Sequence, residues 1–319
     1  MLIRSILASA ALACCASLAS AQTDWPHRPI RVIVPLAPGG PSDIVLRSAA
    51  EKMHSILKQP VIIDNKPGSG GNIGASEAAR AKPDGYTWLW TTDTLVTVNP
   101  HVYSKLNFKL EDLQPVMRAS ELSQTLVCNP NSGVRSVADL VHKAKQRSFT
   151  YATGGAGSPG HLTTELFKSV ARIDMVHVPY KGPAPAAQDL MSGQVDCGFL
   201  AGPSVLPHVR AGRMVALAVS GTKRSPLLPE VPTMAESGFP GFESTFSLVL
   251  FAPRGVPRPV IDAMRAAMET ALRQPDVIER LRQTDQDVVA SSAEAAVARL
   301  AEDSKKWGAV ARKINLHID

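Results

Sequence analysis

Residues 30–57 read Ile30-Arg-Val-Ile-Val-Pro-Leu-Ala-Pro-Gly-Gly-Pro-Ser-Asp-Ile-Val-Leu-Arg-Ser-Ala-Ala-Glu-Lys-Met-His-Ser-Ile-Leu57. The run from Ile30 to Leu36 is rich in β-branched residues and predicts a strand. From Ser42 to Leu57, the residues Ile44, Val45, Ala49, Met53, Ile56 and Leu57 recur at helical spacing. Between the two stands the loop Ala37-Pro38-Gly39-Gly40-Pro41-Ser42-Asp43. A strand that feeds a helix through a glycine loop is the unit of a parallel α/β sheet.

The same grammar continues outward. Val61–Ile63 and Tyr86–Trp90 are further strands, separated by a helix from Ile73 to Ala81 that stops at Lys82-Pro83-Asp84-Gly85. It restarts with strands at Gln124–Cys128 and Thr150–Ala152, a helix start at Ser136 and a helix from His161 to about Val170. Strands at Asp174–Val178, Gln194–Leu200 and Met214–Ser220 follow, and the tail from Pro257 is helical. Two such blocks predict two α/β lobes. Ligands of such sheets lie at the carboxyl ends of the strands, in a crevice between units.

Composition narrows the function classes. The chain opens with Arg4, an apolar run from Ser5 to about Ala16, and Ala19-Ser20-Ala21. That is the pattern of a secretory leader cleaved after Ala21, too short to span a bilayer. A periplasmic location is therefore expected. Beyond the leader only Cys128 and Cys197 remain, either as one bridge or as buried apolar residues. No Cys/His spacing suggests a metal, and no cofactor is expected. The formal charge is +6, or +5 without Arg4, with 5% aromatics and no basic run. Nucleic acid is thus not an expected partner. A mildly basic balance favours a small anion.

Several loops are candidates for chemistry. Glycines in Pro38-Gly39-Gly40-Pro41-Ser42-Asp43 allow close approach to the backbone, and the first-turn N–H groups of the following helix favour a carboxylate. The alternative is a plain turn capped by Ser42 or Asp43. Gly154-Gly155-Ala156-Gly157-Ser158-Pro159-Gly160-His161 has the same design. It approaches the G-x-S-x-G nucleophile elbow, but Pro159 lacks the N–H that an oxyanion hole needs. Ser158 is therefore read as a ligand contact or a helix cap rather than a nucleophile. His161 is read as a ligand contact or an ordinary first-turn residue. Gly68-Ser-Gly70-Gly71-Asn-Ile-Gly74 fails the dinucleotide fingerprint at Ile73. Thr91-Thr92-Asp93-Thr94 offers hydroxyls and one acid, Asp93, which either pairs with a ligand amine or caps the next helix. Tyr180 and Phe199, with Leu200 and Ala201 beside the latter, line the remaining strand ends. The two aromatics are read as pocket or as core.

Seven motifs in one order carry a resemblance. They are Trp25-Pro-His-Arg-Pro-Ile-Arg-Val-Ile-Val-Pro35, Pro38-Gly-Gly-Pro-Ser-Asp43, Val61-Ile-Ile-Asp-Asn-Lys-Pro-Gly-Ser-Gly-Gly-Asn-Ile-Gly-Ala75, Lys82-Pro-Asp-Gly-Tyr-Thr87, Gly157-Ser-Pro-Gly-His-Leu162, Val176-His-Val-Pro-Tyr-Lys-Gly182 and Val231-Pro-Thr233. Together they resemble the Bug (TctC-like) family of periplasmic solute-binding proteins of tripartite tricarboxylate transporters. The resemblance implies a type II periplasmic-binding-protein fold, with two α/β lobes joined by two crossover segments around a ligand cleft. It implies a first lobe of residues 22–122 and 247–319 and a second of 123–246, after a leader of 1–21. It also implies a monomer whose partners are integral membrane transporter subunits. The ligand would be a small organic acid, an amino acid or a pyridine carboxylate or amide, held by loop amides and water. The positions expected to touch it are Ala37, Pro38, Gly39, Gly40, Ser42, Asp43, Thr91, Thr92, Asp93, Gly157, Ser158, Gly160, His161, Tyr180, Phe199, Leu200 and Ala201.

Two positions depart from the family pattern. Leu200-Ala201-Gly202 is apolar and small where a polar or acidic residue is common, and Asp93 is an added acid in the Thr/Ser-rich loop. An acid there predicts a ligand with one carboxylate or amide end, with or without a cationic group, rather than a dianion. A ligand-sensing protein and a serine hydrolase using Ser158 are the competing functions.

Overall fold

The computed structural model describes residues 25–36, 38, 39 and 41–318. The leader, and the expected contacts Ala37 and Gly40, lie outside the described residues. The elements run β1 (Ile30–Val34), α1 (Pro41–Leu57), β2 (Val61–Asn65), α2 (Asn72–Ala79), β3 (Thr87–Thr92), α3 (Thr94–Thr97), α4 (Asn99–Val102), β4 (Leu113–Cys128), α5 (Val137–Ala144), β5 (Thr150–Thr153), α6 (Pro159–Ala171), β6 (Val176–Pro179), α7 (Pro183–Ser192), β7 (Cys197–Ala201), α8 (Gly202–Arg210), β8 (Val215–Val219), β9 (Thr245–Pro253), α9 (Arg258–Leu272), α10 (Pro275–Gln283), β10 (Gln286–Val288) and α11 (Ala293–Lys313).

In β1, Ile30, Val32, Ile33 and Val34 are all fully buried. A strand apolar on both faces needs helices on both sides of its sheet, which is the parallel α/β arrangement. β1 accordingly pairs in parallel with β2 and β3. β3 then pairs antiparallel with β9, and β9 with β4. On one face, α1, α9 and α10 pack Met53, Met264, Met268 and Leu281 against Trp88 and Trp90. The C-terminal helices thus complete the first lobe's core.

β4 carries the architecture. From Leu113 to Ser123 it pairs with β9. From Gln124 to Cys128 it pairs instead with β7 and β8, in a second sheet that continues through β5 to β6. The return crossover follows β8. There Ser220 N–H donates to Gln124 O and Ser244 N–H donates to Ser220 O, both at 2.8 Å. The chain therefore forms two α/β lobes joined by two crossovers. The second lobe has its own core around Phe149, Tyr151, Phe167 and Phe199. Among the described residues, no helix is long and apolar enough to cross a membrane.

Ser136 caps α5, its Oγ accepting the Asp139 N–H at 3.1 Å. β9 is a fully buried strand that the pattern reading leaves unassigned, and the β4 reading begins only at Gln124. Both interleave polar residues such as Arg118, Ser120 and Ser247, whose partners lie in other elements. Cys128 and Cys197 sit directly opposite each other on β4 and β7 and form a disulfide that closes a sequence separation of 69.

Both cysteines are fully buried, so reductant alone is expected to leave the native bridge intact. Replacing both by serine should lower unfolding free energy by ~2–4 kcal/mol, the range for a long closed loop. Urea titration monitored by tryptophan fluorescence measures the difference.

Candidate functional site

The first candidate loop is built from its base. Trp90 Nε1 donates to Ser42 O (3.2 Å) and Ser42 Oγ (3.0 Å), which locks the start of α1 to β3. Asp43 points inward and is 2% exposed. Its carboxylate accepts from Gly39 N–H at 2.9 Å, Arg47 Nε at 2.7 Å and Asn65 Nδ2 at 3.1 Å. Burial pushes this carboxyl up, but the bonds from Arg47, Gly39 and Asn65 outweigh it and hold it below its usual range. Ser42 and Asp43 are thus first-turn anchors, not caps, because α1 already begins at Pro41. Pro38 and Gly39 form the exposed tip, with Gly39 at φ +82 and open space around its Cα. The Gly39 amide is occupied by Asp43, so it is not a free donor.

The second loop lies between β5 and α6. Ser158 Oγ accepts the His161 N–H (3.4 Å), which makes Ser158 the cap of α6. Gly157 N–H donates to His161 Nδ1 at 3.0 Å. The ring nitrogen thus serves the loop, not the Ser158 hydroxyl as a base would. Gly160 faces the middle of β7 so closely that an added Cβ would lie 2.2 Å from Phe199 O. Helix geometry leaves the Gly160 N–H without an intrahelical partner, aimed out of the end of α6. Leu162 packs with Val98 and Val102 of the first lobe, and a Cβ on Gly157 would meet Ile318. This loop therefore stands at the junction of the lobes.

The other strand ends differ from expectation. Thr91 is buried in the β3–β9 ladder, and Thr92 Oγ1 bonds Thr94 Oγ1 at 2.7 Å. Asp93 is 0% exposed and turned toward β9, accepting Ser247 N–H at 2.8 Å. It makes no side-chain cap on α3. Burial, then the neighbouring Asp303, raises its carboxyl to about 8 against the pull of Ser247, Arg118 and Arg299. Enclosed and shifted toward its protonated form, it does not present to the cleft the charge that argued against a dianionic ligand. Phe199 and Leu200 have core side chains, packed with Phe167 and with Val205 respectively. Tyr180 is half-buried and its hydroxyl donates to Asp189 at 2.8 Å. Ala201 pairs with Gln124 beside the crossover.

Sequence reading passed over Trp90, His177 and the ion pairs around Asp93. Arg299 bridges Glu243 (2.7 Å) and Asp303 (2.9 Å), and Arg118 bridges Glu121 (2.7 Å) and Ser247 Oγ (2.9 Å). The contacts that join these pairs to one another are distant in sequence, Arg118 to Ser247 by 129 positions and Ser247 to Asp93 by 154, so no local spacing reveals the set. A cavity of about 640 Å³ lies between the crossovers and β10, lined by residues that include Glu121, Ser123, Lys223, Ser225, Arg282 and Asp285. None of the expected contacts among the described residues lines it.

Asp93→Asn keeps an acceptor for Ser247 and removes the need to hold a buried acid neutral. A raised pKa contributes stability below the unfolded value near 3.8 that is lost as pH rises through about 8. The variant's stability relative to wild type should therefore rise by several kcal/mol between pH 4 and pH 8, by urea denaturation at both values.

This geometry can be set beside known proteins. The family model described as the tripartite tricarboxylate transporter family receptor (TctC) matches residues 45–316. Protein BugT of Bordetella pertussis is 35% identical over 295 residues, covering 91% of this chain and 90% of BugT. Among solved structures, Rpa4515 of R. palustris with adipate has a TM-score of 0.84 at 32% identity, covering 92% of this chain and 99% of that one. MatC of Rhodopseudomonas palustris with bound malate has a TM-score of 0.79 at 30% identity, covering 90% and 99%. Matched over most of its length in sequence and fold, the chain belongs to the TctC (Bug) family of periplasmic solute-binding receptors.

Proposed function

We propose that this chain is an extracytoplasmic receptor that captures a small dicarboxylate between its lobes and delivers it to a tripartite tricarboxylate-type transporter. The observation that carries this reading is the pair of strand-end loops, 38–43 and 154–161. Each opens a helix N-terminus, and they follow strands on either side of the exchange in β4, one in each lobe. First-turn amides such as that of Gly160 bind a carboxylate without any Arg or Lys. The malate and adipate bound by MatC and Rpa4515 are consistent with a ligand of two carboxylates. The enclosure of Asp93 and its shift toward the protonated form remove the electrostatic objection to one.

In this reading the ligand contacts are the loop tip at Pro38 and Gly39, with the Gly39 amide itself held by Asp43, the first-turn amide of Ser42, the Thr92 hydroxyl, Ser158, Gly160 and the backbone at Ala201. The lobes are residues 22–122 with 247–319, and 123–246, after a leader removed at Ala21. Lobe closure traps the ligand, and the closed form is what the membrane subunits read. The chain binds its ligand and returns it unchanged.

Malate and adipate, tested with an acidic amino acid and a pyridine carboxylate for contrast, are expected to raise the melting temperature. Ligand at 100-fold over Kd adds ~2.7 kcal/mol to a native state that alone binds it. A folded protein whose melting curve no carboxylate moves would refute the proposal. Deleting the gene should abolish uptake of the ligand identified. Intact uptake with a lost transcriptional response would point to sensing instead.

A further inference from the structure

Two histidines, one in each of two separate motifs, meet in the second lobe. His161 opens α6 and His177 lies on β6, where the parallel register sets it beside Tyr151 of β5. The two imidazoles stack with centroids 4.0 Å apart and planes 7° from parallel. The Tyr151 ring stacks on His177 at 4.9 Å and 16°. One contact of the pair goes to the loop between β5 and α6 and one to Thr153, the last residue of β5, from which that loop springs. His161 Nδ1 accepts the Gly157 amide at 3.0 Å, and His177 Nε2 bonds Thr153 Oγ1 at 2.7 Å. Thr153 Oγ1 in turn accepts the Gly155 amide at 3.2 Å. Gly155 and Gly157 both have positive φ, so the loop has little conformational preference of its own.

We propose that His161 and His177 are positioning residues: a neutral stacked pair that holds the 153–158 loop in its ligand-ready shape through the Gly157 amide and the Thr153 hydroxyl. The proposal rests on the reading above that this loop contacts the ligand. Neutrality is part of the mechanism. A proton on His161 Nδ1 removes the acceptor for Gly157, and two charged rings 4.0 Å apart repel.

The surroundings favour the neutral form. The groups facing the pair are Glu165 and Lys168 of α6, Tyr151 of β5, and each other. Lys168 pairs with Glu165 at 2.8 Å, and Tyr151 Oη donates to the same carboxylate. Burial, then Lys168, pushes His161 down to about 4. Burial, then His161, pushes His177 down to about 4, with Glu165 opposing. Because both are depressed, the arrangement is fully favoured above the unfolded value of 6.5 and weakens as pH falls toward about 4.

The test compares His161→Phe, which keeps an aromatic ring and loses the acceptor, with His161→Asn, which loses the ring and keeps an acceptor at the Nδ1 position. Amide exchange by 1H–15N NMR on ligand-free protein should show Gly157 protected in wild type and in His161→Asn, and unprotected in His161→Phe. Imidazole 15N shifts should show His161 protonated on Nε2 alone at pH 7, with charging only below about pH 5. For malate or adipate, whichever wild type binds, His161→Phe should raise Kd by ~10-fold, the value of one hydrogen bond. His161→Asn should recover most of that loss, while melting temperatures stay near wild type. Wild-type affinity in His161→Phe, or a Gly157 amide still protected there, overturns the proposal. So does affinity lost in both variants in step with melting temperature. If wild type binds neither acid, the receptor reading fails separately, and Gly157 exchange with the tautomer still decides the role of the pair.

Discussion

One strand serving two sheets is the constraint on which the molecule depends. β4 exchanges β9 for β7 and β8 between Ser123 and Gln124, without a break in the chain. A backbone that satisfies its hydrogen bonds on both sides of that exchange cannot slide relative to either lobe. The lobes are therefore connected through β4 and through the return near Ser220 and Ser244. The disulfide reinforces the second-lobe side of this joint, since Cys128 closes β4 onto β7.

The polar groups near the joint follow from it. Arg118, Glu121 and Ser120 lie on β4 just before the exchange, and Ser247 lies on β9 beside it. α11 spans the junction, packing Trp307 against Phe246 and bringing Arg299 and Asp303 to the same region. Asp93 at the end of β3 is drawn into this set through Ser247. Its burial is thus a consequence of where β9 runs. An acid that seems poised for a ligand in a Thr-rich loop becomes an enclosed structural group once a fully buried strand lies across it.

The same logic separates the loops. In both, a side chain of the loop's own helix takes the glycine amide: Asp43 for Gly39, His161 for Gly157. Each fixes the shape of a glycine-rich segment that has no rigidity of its own. The donors left for an anion are those of the first helical turns, which no intrahelical carbonyl can reach. Ser158 caps α6 through its Oγ as an acceptor and is followed by Pro159.

Much of this was legible in the linear chain. The alternation of β-branched runs, glycine loops and amphipathic helices determined the α/β class, and the order of motifs determined the family, because both depend on local spacing. Ser136 as a cap was legible for the same reason. What tertiary structure alone decided involves partners distant in sequence. β9 and the first half of β4 escaped notice because their polar residues are satisfied across elements, which breaks the apolar pattern of a buried strand. The fate of Asp93, the core placement of Phe199 and Leu200, the Cys128–Cys197 bridge and the His161–His177 stack were set by strand register and lobe packing. A chain reports its own periodicity, but not which distant group will meet a given side chain or whether water remains between them.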